Sequence, residues 1–313
     1  MSFDDLSGKY PANSDFAYVC VIFNGDKYVT GALVLAESII GVGSKFDRIC
    51  MVNGVSDEAK DKLSKLFTHV IEVPEIIVNT IPMKTNKQNS IYSWINKSFT
   101  KWNCLRLDQY KKILFLDCDL IFIKNCDELF ELKTPAATFS NPWVYYYIKN
   151  KNKNKNLSTN NTSNNSHPYL VNGKEPKHGD EINSEVALNA LDNSFVCYGS
   201  MVLLRPSINH FGLYMSWLVK SSVYGHKGLS GFDEQSITEF YIKELKKTWI
   251  NIHQLYNYCP RKEYWLPDKE EPKIFHYIGS NPWEHPRDLW EDTKKWWEIY
   301  DIVVKKYNFV LST

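Results

Sequence analysis

Lys112-Ile113-Leu114-Phe115-Leu116-Asp117-Cys118-Asp119 is the stretch that decides the fold. An apolar strand stops abruptly in two carboxylates with one residue between them. Uncompensated buried charge is expensive, so two acids at the tip of a buried strand need a partner. A hard divalent cation such as Mn²⁺ or Mg²⁺ is the simplest, because such ions prefer carboxylate oxygen. A cation held this way bridges protein carboxylates to a substrate diphosphate, which points to an enzyme acting on a nucleotide-activated substrate. The competing reading of the same residues is a strand followed by a solvated acidic turn.

Working outward, strands alternate with helices. Ala17-Tyr18-Val19-Cys20-Val21-Ile22-Phe23 reads as a buried first strand, followed by the turn Asn24-Gly25-Asp26. A helix is expected from Tyr28 to Ile40, ended by Gly41 and Gly43, then a short strand from Arg48 to Val52. Ser56 is a candidate N-cap for a helix to Phe67, and Val70 to Val73 is a third strand stopped by Pro74. Phe99 to Tyr110 reads as a helix leading into the acid-bearing strand. Further on, strands are expected at 194–197, 201–204 and 274–277. Helices are expected at 207–223 and 234–245, the latter with Asp233 as N-cap. The order predicts an α/β fold, a Rossmann-like, mostly parallel sheet with helices on both faces. Substrates of such sheets bind beyond the carboxyl ends of the strands, where the loop after Phe23 and the Asp117–Asp119 turn both project. Neither G-x-G-x-x-G nor G-x-x-x-x-G-K-[ST] occurs, so a nucleotide is held some other way.

Composition narrows the class. A net charge of +1 over 313 residues gives no nucleic-acid or membrane footprint. The seven cysteines are odd in number and never spaced C-x-x-C, which argues against a disulfide framework and a structural zinc site. The polar, acidic start Met-Ser-Phe-Asp-Asp and the lack of a long apolar run predict a soluble, cytoplasmic protein with no membrane span. The Asn/Lys-rich run 150–166 has little to bury and is expected to be a surface insertion. The expected division is one catalytic domain over 1–285, carrying that insertion, and a helical extension over 286–313 with an aromatic helix near Leu289 to Tyr307.

Taken in order, the D-x-D strand, the first strand leading into Gly31-Ala32-Leu33-Val34-Leu35, and His276-Tyr277-Ile278-Gly279 before Pro282-Trp283 resemble glycosyltransferase family 8, on its glycogenin-like side. The resemblance covers roughly 17–285. It implies a GT-A fold, a UDP-sugar donor, Mn²⁺ (Mg²⁺ as the alternative) and retention of anomeric configuration. It places Val21, Phe23, Asn24 and Tyr28 around uracil and ribose, with Cys118 near the ribose. Asp117, Asp119 and His276 become the metal ligands, and Gly279 lets the backbone approach the diphosphate. Lys101 matches a lysine near the donor sugar and phosphate. Glu234-Gln235 matches an Asp-Gln pair whose acid contacts the sugar and has been considered as a nucleophile. Alone, Lys101 also reads as a solvated helix lysine, and the acids as an ordinary helix start favoured by the dipole.

Three departures from the family pattern stand out. Tyr198-Gly199-Ser200 replaces Asn-Ser-Gly or Asn-Ala-Gly, so Gly199 and Ser200 stand where sugar contacts are expected. Glu234 is longer than the usual aspartate, with Asp233 able to compete for its role. Asn281 stands where a lysine precedes Pro-Trp. The expected activity is transfer of a hexose, most simply glucose, to a hydroxyl. The acceptor could be a carbohydrate, a small polyol or the protein's own tyrosine, with Tyr256 and Tyr258 in a corresponding region; a homodimer is an allowed assembly. Two other readings are a non-catalytic UDP-sugar-binding protein and a haloacid-dehalogenase-like phosphatase with Asp117 as nucleophile. The latter fits poorly, because Leu120-Ile121-Phe122 follows the acids where that family wants a small or hydroxyl residue.

Overall fold

The computed structural model describes residues 6, 8–81, 93–139, 176–192, 199–220, 232–260, 271–279 and 281–311. The expected insertion at 150–166 and the strand at 194–197 lie outside them.

An eight-stranded sheet forms the centre, in the order β3-β2-β1-β4-β8-β6-β9-β7. Its strands are β1 (Phe16–Phe23), β2 (Asp47–Asn53), β3 (His69–Glu72), β4 (Lys112–Leu116), β6 (Ala136–Ala137), β7 (Glu181–Ile182), β8 (Met201–Leu204) and β9 (Trp249–Asn251). All but β7 and β8 run in the same direction. The uninterrupted apolar runs of the sequence follow from burial on both faces. In β1, Ala17, Val19 and Val21 enter one core while Tyr18, Cys20 and Ile22 enter the other. In β4, Ile113 and Phe115 divide from Leu114 and Leu116 in the same way. This is the period-two alternation of a strand.

One face is covered by a 3-10 helix at Ile95–Arg106 together with α4 (Ile208–Lys220) and α5 (Phe232–Lys243), and α3 (Ser184–Asp192) adds Ala187 to the same core. The other face is covered by α1 (Val29–Gly41) and α2 (Asp57–Leu63). Ser56 caps α2 as the sequence predicts, its hydroxyl accepting from the Ala59 amide at 3.2 Å. The expected α-helix at 99–110 is instead the 3-10 helix. Ser98 to Leu107 are buried without interruption, so there is no solvent face to impose an amphipathic α-helical phase. Asp233 is also not an N-cap. It lies within the first turn of α5, where its carboxylate serves an ion pair described below.

Beyond the main sheet, β5 (Leu120–Phe122) pairs antiparallel with β10 (Ile274–His276). The late aromatic helix, α6 (Lys294–Tyr307), packs on α1 through a cluster containing Val34, Trp283, Trp296, Trp297 and Tyr300. Glu37 on α1 is buried, and its charge is met by Lys306 Nζ at 2.8 Å and the Tyr307 hydroxyl at 2.9 Å. Burying that carboxylate is tolerable only with such partners. Trp296 is fully buried at the centre of this cluster. Trp296→Ala is therefore expected to lower stability by about 3–5 kcal/mol, the scale of aromatic truncation in a core, read from urea unfolding.

Candidate active site

The acids lie just past β4, at the carboxyl edge of the sheet. The Asp117 amide donates to the Ser200 carbonyl at 2.9 Å, which ties the turn to the residue preceding β8. The third member arrives through strand register. His276 of β10 pairs with Leu120 of β5, the residue after Asp119, and the Tyr277 amide donates to the Asp119 carbonyl at 3.0 Å. Ligand-capable atoms of Asp117, Asp119 and His276 all fall within 4.8 Å of one another. His276 Nε2 stands 3.4 Å from Asp119 Oδ1, and Nδ1 is 2.7 Å from Asn257 Oδ1. Asn257 Nδ2 in turn donates to Ser200 Oγ at 3.1 Å.

That pattern fixes the tautomer. Asn257 Oδ1 accepts, so Nδ1 donates to it and Nε2 is the nitrogen presented to the acids. Asp119 Oδ1 is solvent-excluded and has no hydrogen-bond partner among the described residues. Two carboxylates, an imidazole nitrogen and an unsatisfied oxygen suit a hard or borderline divalent cation, so the residues fit the group the sequence implies. Burial raises the Asp117 carboxyl above its usual range, with Lys101 opposing. At Asp119 burial pushes the same way, but the neighbouring His276 outweighs it and holds the carboxyl low.

A second charged group adjoins the first. Lys101 is buried, with Nζ 2.8 Å from Asp233 Oδ2 and 3.6 Å from Asp117 Oδ1. Burial alone would lower its pKa. The charges of Asp117, Asp233 and Glu234 overcome that and hold the ammonium well above its ordinary value. Lys101 is thus an ion-paired lysine inside the site and not a solvated one. Glu234 lies against the backbone of Gly199, and its Oε2 is buried without a partner among the described residues. Burial, then the Asp233 charge, push the Glu234 carboxyl well above the usual range. Lys101 overcomes burial at Asp233 and holds that carboxyl low. Gln235 is buried beside them, its Nε2 donating to Glu239 Oε1 at 3.4 Å.

The residues expected around a nucleotide occupy the end of β1 and the turns beside it. Cys118 Sγ donates to the Val21 carbonyl at 3.5 Å, joining the D-x-D turn to β1. Phe23 ends the strand, and Asn24 and Gly25 turn the chain with φ of 71° and 92°. Tyr28 packs edge-on to Trp283 at 5.7 Å between centroids, and its hydroxyl is hydrogen-bonded to Asn281. Asn281, where the sequence lacks the family's lysine, is therefore a buried polar prop. Gly279 has φ of 75°, a turn conformation that favours glycine. At Gly31 a side chain is excluded outright, because a Cβ would lie 2.6 Å from the Cys118 carbonyl oxygen and 2.6 Å from the Trp283 ring. Sequence reasoning missed Asn257 and the packing role of Trp283. The first carries no local signal, while the second lies in a motif that the sequence does show.

Comparison with known proteins agrees with this architecture. Residues 19–173 match the family described as Glycosyl transferase family 8. Three curated relatives align with part of this chain. They are the uncharacterized protein R707 of Acanthamoeba polyphaga mimivirus (40% identity; 42% of this chain, 46% of the relative), UDP-glucuronate:xylan alpha-glucuronosyltransferase 2 of Arabidopsis thaliana (29%; 41% and 20%) and Glycogenin-1 of Caenorhabditis elegans (32%; 40% and 30%). Over residues 19–173 the chain carries a glycosyltransferase family 8 domain. The aligned parts cover less than half the length of these relatives. The galactosyltransferase LgtC, solved with donor and acceptor sugar analogues, superposes with a TM-score of 0.54 at 13% identity, over 91% of this chain and 95% of that one. That likeness establishes the GT-A fold.

Because Asn257 fixes the His276 ring, Asn257→Ala is expected to weaken Mn²⁺ binding by about 10–100-fold, the usual cost of losing such a support. Calorimetric titration of the variant measures this, with circular dichroism to verify its fold.

Proposed function

We propose that this family member transfers a hexose, glucose in the first instance, from a UDP-sugar to a hydroxyl acceptor with retained configuration. The observation that carries the reading is the adjacency of two groups at one sheet edge: the Asp117/Asp119/His276 triad and the Lys101–Asp233–Glu234 cluster. The first suits a diphosphate and the second a sugar. A divalent cation held by the triad would supply Lewis acidity to the diphosphate of the departing UDP. In the reaction the C1–oxygen bond to UDP breaks with its electron pair leaving on the nucleotide. The acceptor oxygen bonds to C1 and passes its proton to the departing diphosphate oxygen.

The chain's own residues divide that work. Lys101 places a fixed positive charge beside Asp117, where negative charge grows on the leaving group. Asp233 is engaged by Lys101, and Glu234 is hydrogen-bonded to Asp233, with its Oε2 the oxygen left to face the sugar. Its upward shift favours the protonated form, with Asp233 accepting the proton, and so argues for entry of the acceptor on the leaving-group face over attack by Glu234. Val21, Phe23, Asn24, Tyr28 and Cys118 would hold the nucleoside, and Gly279 the approach to the diphosphate. Ser200 would hold the Asp117 turn through its carbonyl and Asn257 through its hydroxyl.

We further propose an external acceptor. The Tyr256 hydroxyl donates to Glu128 Oε1 at 2.9 Å and accepts from Lys273 Nζ at 3.1 Å, and burial pushes its pKa up to about 12. Tyr258 is buried too. Neither hydroxyl is offered as a nucleophile. The domain reading becomes a catalytic unit over 1–285 with the helical extension 286–313 packed on α1 through α6. No helix among the described residues is long and apolar enough to cross a membrane.

The test is incubation with UDP-glucose and Mn²⁺, following UDP release and intact mass. UDP release that stops on chelation, with unchanged protein mass, is the expected result. Stepwise hexose increments would return the search to the protein's own tyrosines, and donor binding without UDP release would favour a binding protein. Asp117→Asn/Asp119→Asn is expected to cut turnover by about 100-fold or more, the scale of losing electrostatic stabilisation of a transition state.

A further inference from the structure

Two departures from the family pattern meet in space. Where the family has serine or alanine, this chain has Gly199, and where it has aspartate, this chain has Glu234. A Cβ built on Gly199 would sit 2.0 Å from Glu234 Cγ, 2.7 Å from Cδ and 2.6 Å from Oε1. Contacts that short do not occur between unbonded carbons. The clash runs from Glu234 Cγ to its carboxyl group, so it is relieved only by turning the whole side chain about its first bond. Escape is restricted further. Asp233 before it is ion-paired to Lys101, and Gln235 and Ser236 after it are buried, so the first turn of α5 cannot rotate freely. Gly199 itself is buried, one residue before Ser200, whose carbonyl holds the Asp117 amide.

We propose that Gly199 is a positioning residue: its missing side chain makes the room into which the extra methylene of Glu234 fits, so that the two substitutions are one compensated change that keeps a carboxyl at the sugar end of the site. The interlock also indicates the class of donor. The space beside Gly199 is filled by an acid whose Oε2 lacks a partner. Among the described residues the nearby charged groups are Asp117, Asp233 and one cation, Lys101, itself engaged. A sugar carboxylate placed there would meet the charges of Asp233 and Asp117 and could not donate to Glu234 Oε2, whereas a hydroxyl would donate to it. The pair therefore selects a neutral hexose over a uronate, which deepens the donor reading given above and rests on it. Like-charge juxtaposition of this kind is a common device of selectivity.

A double-mutant cycle tests the proposal: Gly199→Ala, Glu234→Asp and the two together. Affinities for UDP, UDP-glucose and UDP-glucuronate are taken by calorimetry with Mn²⁺ present, and thermal melting is followed for each variant. Wild type is expected to bind UDP-glucose at least tenfold more tightly than UDP-glucuronate. Gly199→Ala should leave UDP affinity within about threefold but weaken UDP-glucose tenfold or more, a split that general damage to the fold would not produce. The double variant should recover most of that loss and melt above Gly199→Ala. Gly199→Ala behaving as wild type, or a double variant no better than Gly199→Ala, overturns the interlock. Equal wild-type affinity for the two donors overturns the selectivity. Failure of wild type to bind UDP or either sugar, with compensation in melting intact, overturns the donor reading and leaves the interlock standing.

Discussion

The site depends on compensation of negative charge. Four carboxyl groups, those of Asp117, Asp119, Asp233 and Glu234, gather where β4 ends and α5 begins. Burial opposes ionisation of each, so the arrangement exists only because cationic or polar groups are brought to meet it. Lys101 answers Asp233 and Asp117, His276 answers Asp119, and the donor set of the triad suits a divalent ion. Removing one member of such a set exposes the rest. Loss of one partner from a buried ion pair costs about 3–5 kcal/mol in general, chiefly through the charge left behind.

The surrounding fold can be read as the means of delivering these groups. β1 and β4 place their carboxyl ends side by side, and α1 follows β1 with Gly31 against the D-x-D turn. The small β5–β10 ribbon has no large core of its own. Its register nonetheless decides where the imidazole stands, because a slip of one residue would turn His276 to the opposite face. The 3-10 helix that carries Lys101 is buried along its length, which holds a long, flexible side chain in one place between the faces of Trp102 and Phe115.

Much of this was legible in the chain. The central strands announce themselves as continuous apolar runs because both faces are covered, and the acids stand out because they interrupt one. His276 was legible through its neighbours Gly279 and Pro282-Trp283. Other parts left no local mark. The short strands Ala136–Ala137 and Glu181–Ile182 are defined by their partners and show no periodicity of their own. Asn257 resembles any loop asparagine until β10 folds against it. Asp233 reads as a helix cap, which is what local chemistry favours, and only the arrival of Lys101 from another element assigns it otherwise. Gly199 and Glu234 each read as a defect of the motif when taken alone.

The pairing of β10 with β5 also has a temporal meaning. His276 and Leu120 come from opposite halves of the chain, and the Asp117 amide is held by a residue just before β8. Contacts of such long sequence separation form after the loops between them have closed. During synthesis the two acids leave the ribosome well before the imidazole that completes their triad. The nascent chain therefore carries the acids through much of its emergence without His276, and the three side chains meet only in the finished tertiary structure.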